Sequence, residues 1–423
     1  MLKNTHQKNT VRYYALILAL LSFLFFSGDL GMIDVQKTAI VMAVGVDRQD
    51  DTFIVTSQIA IPKPSKQGPS TQTVQIVSRG KTVADAFEEI NAKTGWYPKL
   101  VFCRLILLGE KTVQTDVFEA LDFFLLDEYL SDNCLIATCD TAAKELLNVS
   151  SLVDSSSALA MEKVLSPHAE RVGLVLPATL RTFFIGYFGD SQSSYLPIIK
   201  TQPQQEQIGE SPSENGQGSQ ENKNGQGAQG GQSGGQGGAS EQDSQSSQGN
   251  TQTDKPVFSA SETALFVRGK RVGTLTKDET FALGAVTAHL KLAAFSVGID
   301  NAACTLNIKN NAVKRKLLVG QDGTATLRLQ IKLTAGLLDY SKTQPLLQTK
   351  DAGDLPSGAF YSAERTLTAQ LNTAFEKCKA CGCDLFGVQD HLQKYNKKSY
   401  KKYKETALKS AVLDASVRFI SLR

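Results

Sequence analysis

Few residues in this chain are spaced for chemistry, and the most suggestive set is Cys378-Lys379-Ala380-Cys381-Gly382-Cys383. Thiolates at C-x-x-C spacing bind zinc or cycle through a disulfide. Zinc wants a second ligand pair, and none is placed to supply it. A thioredoxin-type pair opens a helix after a strand, whereas this one closes a helix, with Gly382 at the C-cap position. A core-and-cap role fits better. Cys103, Cys134, Cys139 and Cys304 fall in strand patterns, where cysteine behaves as a small apolar residue. The carboxylate pairs Glu88-Glu89 and Asp127-Glu128 lie on helix patterns with ordinary solvated faces. His168 and His289 are isolated. There is no G-x-S-x-G, no phosphate-binding loop, no H-E-x-x-H and no G-x-G-x-x-G. The expectation is a protein without catalytic residues, cofactor or metal.

One further segment carries strong chemistry of another kind. Residues 394–404, KYNKKSYKKYK, hold six lysines and three tyrosines. On one helix Lys394, Lys397, Lys398, Lys401 and Lys402 would share a broad face. Such a face meets water, lipid phosphate or acidic side chains, and is the candidate interface. Tyrosines among lysines also suit single-stranded nucleic acid. The export signal described below argues against that, so no nucleic-acid partner is expected.

Composition narrows the class. The chain has 423 residues, with 45 basic and 42 acidic side chains, a net charge of +3 and 41% apolar residues. It is long enough for several folded units and shows no global basicity. Seven cysteines spread over this length are not a disulfide scaffold.

The N-terminus addresses the chain to a membrane. Residues 1–12 carry Lys3, Lys8 and Arg12 and no acid, and 13–26 read YYALILALLSFLFF. Basic then apolar is the layout of an export signal, with the cations kept in the cytoplasm. No A-x-A site follows. Asp29 stands where a lipidated cysteine would be, and a carboxylate forms no thioether. An uncleaved anchor over 13–32 is expected, with the rest extracytoplasmic.

Beyond the anchor the pattern predicts an α+β, multidomain fold of mixed β-sheets with packed helices. Residues 33–200 form an αβ region of two subdomains, 201–256 a Gln/Gly/Ser-rich linker without buried surface, and 257–423 a C-terminal αβ domain. The runs 38–47 and 52–61 make a hairpin and 73–78 a third strand. Thr82 caps a helix whose face is Val83, Ala86, Phe87 and Ile90. A strand over 100–108, a helix over 116–130, a strand over 134–139 and a helix over 141–149 follow. After the linker come a hairpin turning at Gly269-Lys270, a helix from 277 and strands over 303–308, 312–319 and 324–333. A long helix over 361–380, a Lys/Tyr-rich helix over about 388–404 and a last strand complete the chain.

These pieces, in this order, resemble the Ger(x)C family of spore germination proteins. The resemblance rests on Gly45-Val46-Asp47 and Pro62 in the first hairpin, then Gly80-Lys81-Thr82, then Gly109-Glu110. After the linker it rests on Val272-Gly273-Thr274-Leu275, Glu279, and Asp384-Leu385-Phe386-Gly387. Each motif alone is weak, and the ordered set spans nearly the whole chain. The resemblance implies the C subunit of a nutrient germinant receptor on the outer face of the spore inner membrane. It implies three mixed αβ domains, no catalytic residues, and assembly with two integral-membrane subunits that respond to nutrient and ions. Members are usually lipoproteins, and Asp29 departs from that pattern, as does the length of the linker. From the residues alone, a stand-alone membrane-anchored binding protein or an exported cell-wall enzyme is the alternative.

Overall fold

The computed structural model describes residues 12–22, 38–63, 70–149, 151, 154, 156–202, 256–299, 302–341 and 358–422. Residues 12–22 form an exposed helix, α1. Asp29, most of the expected anchor and residues 203–255 of the linker lie outside the described residues. Among the described residues no helix is long and apolar enough to cross a membrane.

Strands β1 (Thr38–Gln49), β2 (Thr52–Lys63) and β3 (Ser70–Gly80) pair antiparallel in sequence order. Helix α2 (Val83–Thr94) starts where Thr82 accepts from the Asp85 N–H, and buries the four apolar residues its periodicity predicts. Next come β4 (Tyr97–Lys99), a 3-10 turn (Leu100–Phe102) and β5 (Leu105–Leu108). The expected strand over 100–108 is thus half turn. Leu100 and Cys103 reach the core while Val101 and Phe102 stay outside. Helices α3 (Glu110–Val113) and α4 (Phe118–Leu126) follow. Helix α4 ends before residue 130 because the Asp127 carboxylate accepts from the Tyr129 and Leu130 N–H groups. Then come β6 (Leu135–Cys139), α5 (Ala143–Leu147), α6 (Ser157–Val164), α7 (Pro167–Val172), β7 (Ala178–Thr179), α8 (Leu180–Phe188) and β8 (Ser193–Gln202).

These strands, with β9 (Val257–Val267) and β10 (Lys270–Leu275), form one sheet, ordered β10-β9-β8-β6-β5-β1-β2-β3, with β4 beside β1 and β7 beside β6. Strands β1, β5, β6 and β8 run parallel in its middle. One face carries α2, α4 and α8 over a core including Ile90, Leu121, Phe124 and Phe183. The other carries α5 and α6 over Leu146, Leu147 and Met161. Cover on both faces is why Leu105–Leu108 is an unbroken apolar run.

Strands β9 (Val257–Val267) and β10 (Lys270–Leu275), which the sequence places in the C-terminal block, belong to this sheet. Strand β8 pairs antiparallel with β9 from Ser193 opposite Val267 to Gln202 opposite Val257. The linker therefore joins two hydrogen-bonded neighbours, as an enlarged hairpin loop would. Replacing residues 203–256 by a four-residue turn should leave the fold intact. Cutting about fifty residues to four is nearly four halvings of loop length, worth about 2 kcal/mol of added stability. Urea unfolding and circular dichroism check this, and loss of strand signal would contradict it.

After α9 (Lys277–Thr287), strands β11 (Ala293–Ile299), β12 (Ala302–Val319), β13 (Ala325–Tyr340) and β14 (Val412–Ser421) form a second sheet in that order. The expected strands 303–308 and 312–319 are one strand, β12. Its register shifts between Ile308 and Asn310. There Asn311 turns inward, donating to the Ala285 and Ala288 carbonyls and accepting from the Leu290 N–H. That bulge breaks the alternation on which the two-strand reading rested. The inner face packs on α9 and on α10 (Ala359–Cys381), which Gly382 closes at φ 73°.

The Lys/Tyr-rich stretch is two helices, α11 (Val388–Tyr395) and α12 (Lys397–Tyr403), not one. Asn396 leaves helical backbone at φ −143° and its side chain accepts from the Ser399 N–H, starting α12. Lys394 therefore does not share a helix face with the four later lysines.

Candidate functional site

Most of the glycines and acids singled out by sequence gather at two corners, each pinned by a buried aspartate, while Pro62 lies at the far end of β2. Asp47 lies two residues before the end of β1 and is 9% exposed. Its two oxygens accept from the Ala143 and Lys144 N–H groups at 2.7 and 2.9 Å. These are orphan donors at the start of α5, so Asp47 caps a helix 96 residues away. A threonine just ahead of a helix commonly caps it, but Thr141 does not, and no side chain of the adjacent residues takes that place. Burial pushes the Asp47 carboxyl above its ordinary range, opposed by the bonds from Lys144 and Ala143. Gly109 lies against it, and a Cβ there would collide with Oδ1. Gly45 admits α5 in the same way, since its Cβ would stand 2.8 Å from Leu147 Cδ1. The Gly109 N–H and the Thr112 hydroxyl both donate to the Val46 carbonyl, and the Glu110 N–H donates to the Thr141 carbonyl. Gly80, at the end of β3, packs on the backbone of Ala86 and Thr82. Pro62 lies in β2, its backbone opposite Thr71.

An open cleft of about 630 Å³ lies outside the carboxyl ends of β1, β5 and β6. Ends of parallel strands are where such folds hold ligands. Exposed Glu110, Lys111, Lys144 and Glu145 line it. On one wall Asp140 pairs with Arg271 at 2.7 Å and with Lys200 at 3.4 Å. Burial opposes its ionisation, but those cations hold it below the ordinary carboxylate range. Arg48 is held by Glu119 at 2.6 Å. Asp47, with both oxygens on backbone donors, is not placed to move a proton to a ligand.

The second corner joins the C-terminal helices to the first sheet. Asp384, 6% exposed, accepts from the Val388 and Gln389 N–H groups at 2.9 and 2.7 Å, capping α11 as Asp47 caps α5. Burial raises its carboxyl too, and the bonds from Gln389 and Val388 oppose the rise. Its own N–H donates to Ser193 Oγ at the start of β8. Phe386 is buried edge-on to Phe375, and Gly387 takes φ 76° just before α11. Gly273 in β10 makes room for Cys381, whose Sγ would be 2.7 Å from a Cβ there.

Glu279 accepts from the Thr276 N–H, closing a capping box, and pairs with Lys377 of α10 at 2.8 Å. Burial raises its carboxyl, but Lys377 and Thr276 outweigh burial and hold it below the ordinary range. A depressed acid adds stability above its unfolded value, 4.5, and that part is lost as pH falls through the lower folded value. Glu279→Gln should remove this acid-side slope. Melting temperatures between about pH 3 and pH 6 test it, and an unchanged slope would contradict it.

Lys394, Lys397, Lys398, Lys401 and Lys402 are all exposed. Lys402 lies 4.8 Å from the centre of the Tyr403 ring. Tyr403 itself packs on Gly323 and reaches the Gln321 carbonyl, and Tyr400 is half-buried, so the tyrosines dock α12 and its lysines face out. Tyr395 stays outside at 71% exposure.

The other candidates have structural roles. Glu89 pairs with Lys93 and accepts from the Arg79 N–H, Asp127 ends α4, and His168 and His289 are exposed. Cys378 and Cys383 are buried, and burial pushes the Cys383 thiol up to about 12. One feature had no signal in the sequence. Gln58, inside β2, accepts from Ser156 Oγ and the Ala158 N–H and donates to Ser157 Oγ, fixing α6 to the sheet.

The chain matches the model of the spore germination protein N-terminal domain over residues 31–201. It matches the spore germination B3/GerAC-like C-terminal model over residues 261–419. The crystal structure of the GerBC protein is similar at 14% identity, over 90% of this chain and 97% of that one, with a TM-score of 0.49. No curated protein matches.

Proposed function

The chain belongs to the GerAC-like family of spore germination proteins, and from that premise we propose that it is the non-catalytic C subunit of a nutrient germinant receptor. On this reading it is held at the outer face of the spore inner membrane by residues 13–32 and assembles with two integral-membrane subunits. The observation that carries the reading is the ordered match of both family models, over 31–201 and 261–419. The buried aspartates support a role in assembly rather than catalysis, because their oxygens are spent on helix caps. Nutrient is then a ligand of the assembled receptor.

The docking surface in this reading is the outer face of α12. Lys397, Lys398, Lys401 and Lys402 are exposed and, among the described residues, paired with no carboxylate. Acidic surfaces of a membrane subunit would relieve their mutual repulsion. Reversing all four to Glu should leave the fold intact, since exposed substitutions cost less than about 0.5 kcal/mol each. It should slow nutrient-triggered germination and weaken co-purification with the membrane subunits, most at low salt. Wild-type germination by spores carrying the folded quadruple variant would exclude α12 as the docking face.

A further inference from the structure

The end of the first sheet where β1 begins carries an apolar surface that no described residue covers. Phe102 is 53% exposed, Leu126 79%, Tyr129 56% and Val101 50%. Tyr97 and Leu125 extend the surface. The two segments meet, because Lys99 Nζ stands 4.5 Å over the Tyr129 ring. Scattered surface apolar residues need no explanation, but large exposed apolar side chains gathered on two abutting segments point to a contact.

Its position says what the contact is. Thr38, the first residue of β1, pairs with Tyr97, so the chain enters the fold beside this surface. The expected anchor that precedes β1 ends at residue 32. Six residues span at most about 21 Å, less than the roughly 50 Å width of a folded body of this size. An anchor in the bilayer therefore holds this end of the sheet, and not the opposite one, near the lipid. Tyrosine and lysine beside leucine and phenylalanine is also the composition that settles at a membrane–water interface. Exposed Glu128 and Asp132 in the same loop argue against attraction to anionic headgroups, so the contact is apolar.

We propose that Val101, Phe102, Leu125, Leu126 and Tyr129 form a lipid-contact face that rests in the bilayer interface beside the entering N-terminal segment. The proposal rests on the anchor of the preceding section. It makes the anchor and the 97–130 surface a two-point attachment, which would fix the orientation of the whole first sheet on the membrane. It also separates two surfaces by chemistry: this one meets lipid without regard to salt, and α12 meets protein in a salt-dependent way.

The chain carries its own probe, since its single tryptophan, Trp96, adjoins Tyr97 and packs partly into the core. The full-length protein is reconstituted into phosphatidylcholine vesicles brominated near the headgroup end of the acyl chains. The expected result is loss of about half of the Trp96 emission relative to unbrominated vesicles, unchanged by high salt. The variant Val101→Ser, Phe102→Ser, Leu126→Ser should recover most of it while still floating with the vesicles. Protein that floats with an unquenched Trp96 overturns the lipid-contact face and leaves the anchor standing. Protein that does not float overturns both. Equal quenching in the variant shows that lipid reaches Trp96 without this surface and overturns the proposal. So does a Trp96 that iodide reaches in lipid alone and loses only when the membrane subunits are added, which would assign the surface to protein.

Discussion

Asp47→Ala should destabilise the protein by about 3 kcal/mol, above the roughly 0.5–2 kcal/mol of an ordinary cap, because two buried donors lose a charged acceptor at once. Among the described residues the Ala143 and Lys144 N–H groups donate to no other acceptor, and Ala143 is fully buried. Asp47→Asn, with one amide oxygen and a donor where the second acceptor stood, should cost less, about 1–2 kcal/mol. Gly109→Ala should reach the same lesion from the other side, by driving a methyl into the Asp47 carboxylate. The two are coupled. Once Asp47 is Ala the collision is gone, so the double variant should cost clearly less than the sum of the singles. Urea unfolding of the four proteins measures this, and additive costs would show that Asp47 and Gly109 act separately.

Asp384→Ala carries the second large effect, about 2–3 kcal/mol by the same loss of two backbone donors. Its consequence is different in kind. Asp384 caps α11 while its own N–H reaches Ser193, and Cys383 Sγ lies near the Phe266 carbonyl. This corner joins the C-terminal helices to β8 and β9. Asp384→Ala should therefore raise hydrogen exchange across α11 and α12 well before the first sheet opens. The lysines of α12 would lose their fixed placement, so germination should slow even at a temperature where the variant is folded. Exchange in α11 no faster than in the wild type would show that Asp384 is not the pin.

How much of this was legible depends on the range of the cause. Thr82 over Asp85 and the Gly382 cap are interactions within a few residues, and the sequence displays them, whereas the capping box that Glu279 closes on Thr276 emerged only from the structure. Asp47 was visible as part of a motif, but its work is done on a helix 96 residues away, which no local pattern reveals. The pairing of β8 with β9 across the polar linker was hidden for the same reason: composition marks a polar, low-complexity segment, not which strands meet at its ends. Asn311 hid the continuity of β12 because a buried polar side chain reads as a loop when its partners cannot be seen. Asn396 ended α11 in a run whose lysine spacing favoured one helix, a local cap overriding periodicity. The cleft was not foreseen at all, since its walls come from β1, α3 and the start of α5.

The central claim is that this chain works as a subunit, and the most direct test is its recovery from its own membrane. A tagged copy expressed in spores is purified from detergent-solubilised inner membranes under low salt, and its partners are identified and quantified by mass spectrometry. The predicted result is two polytopic membrane proteins in near-equal amount with the tagged chain, both reduced by the Lys397, Lys398, Lys401 and Lys402 reversal. Recovery of the chain alone, or of spores that germinate normally on nutrient when the chain is deleted, would contradict it.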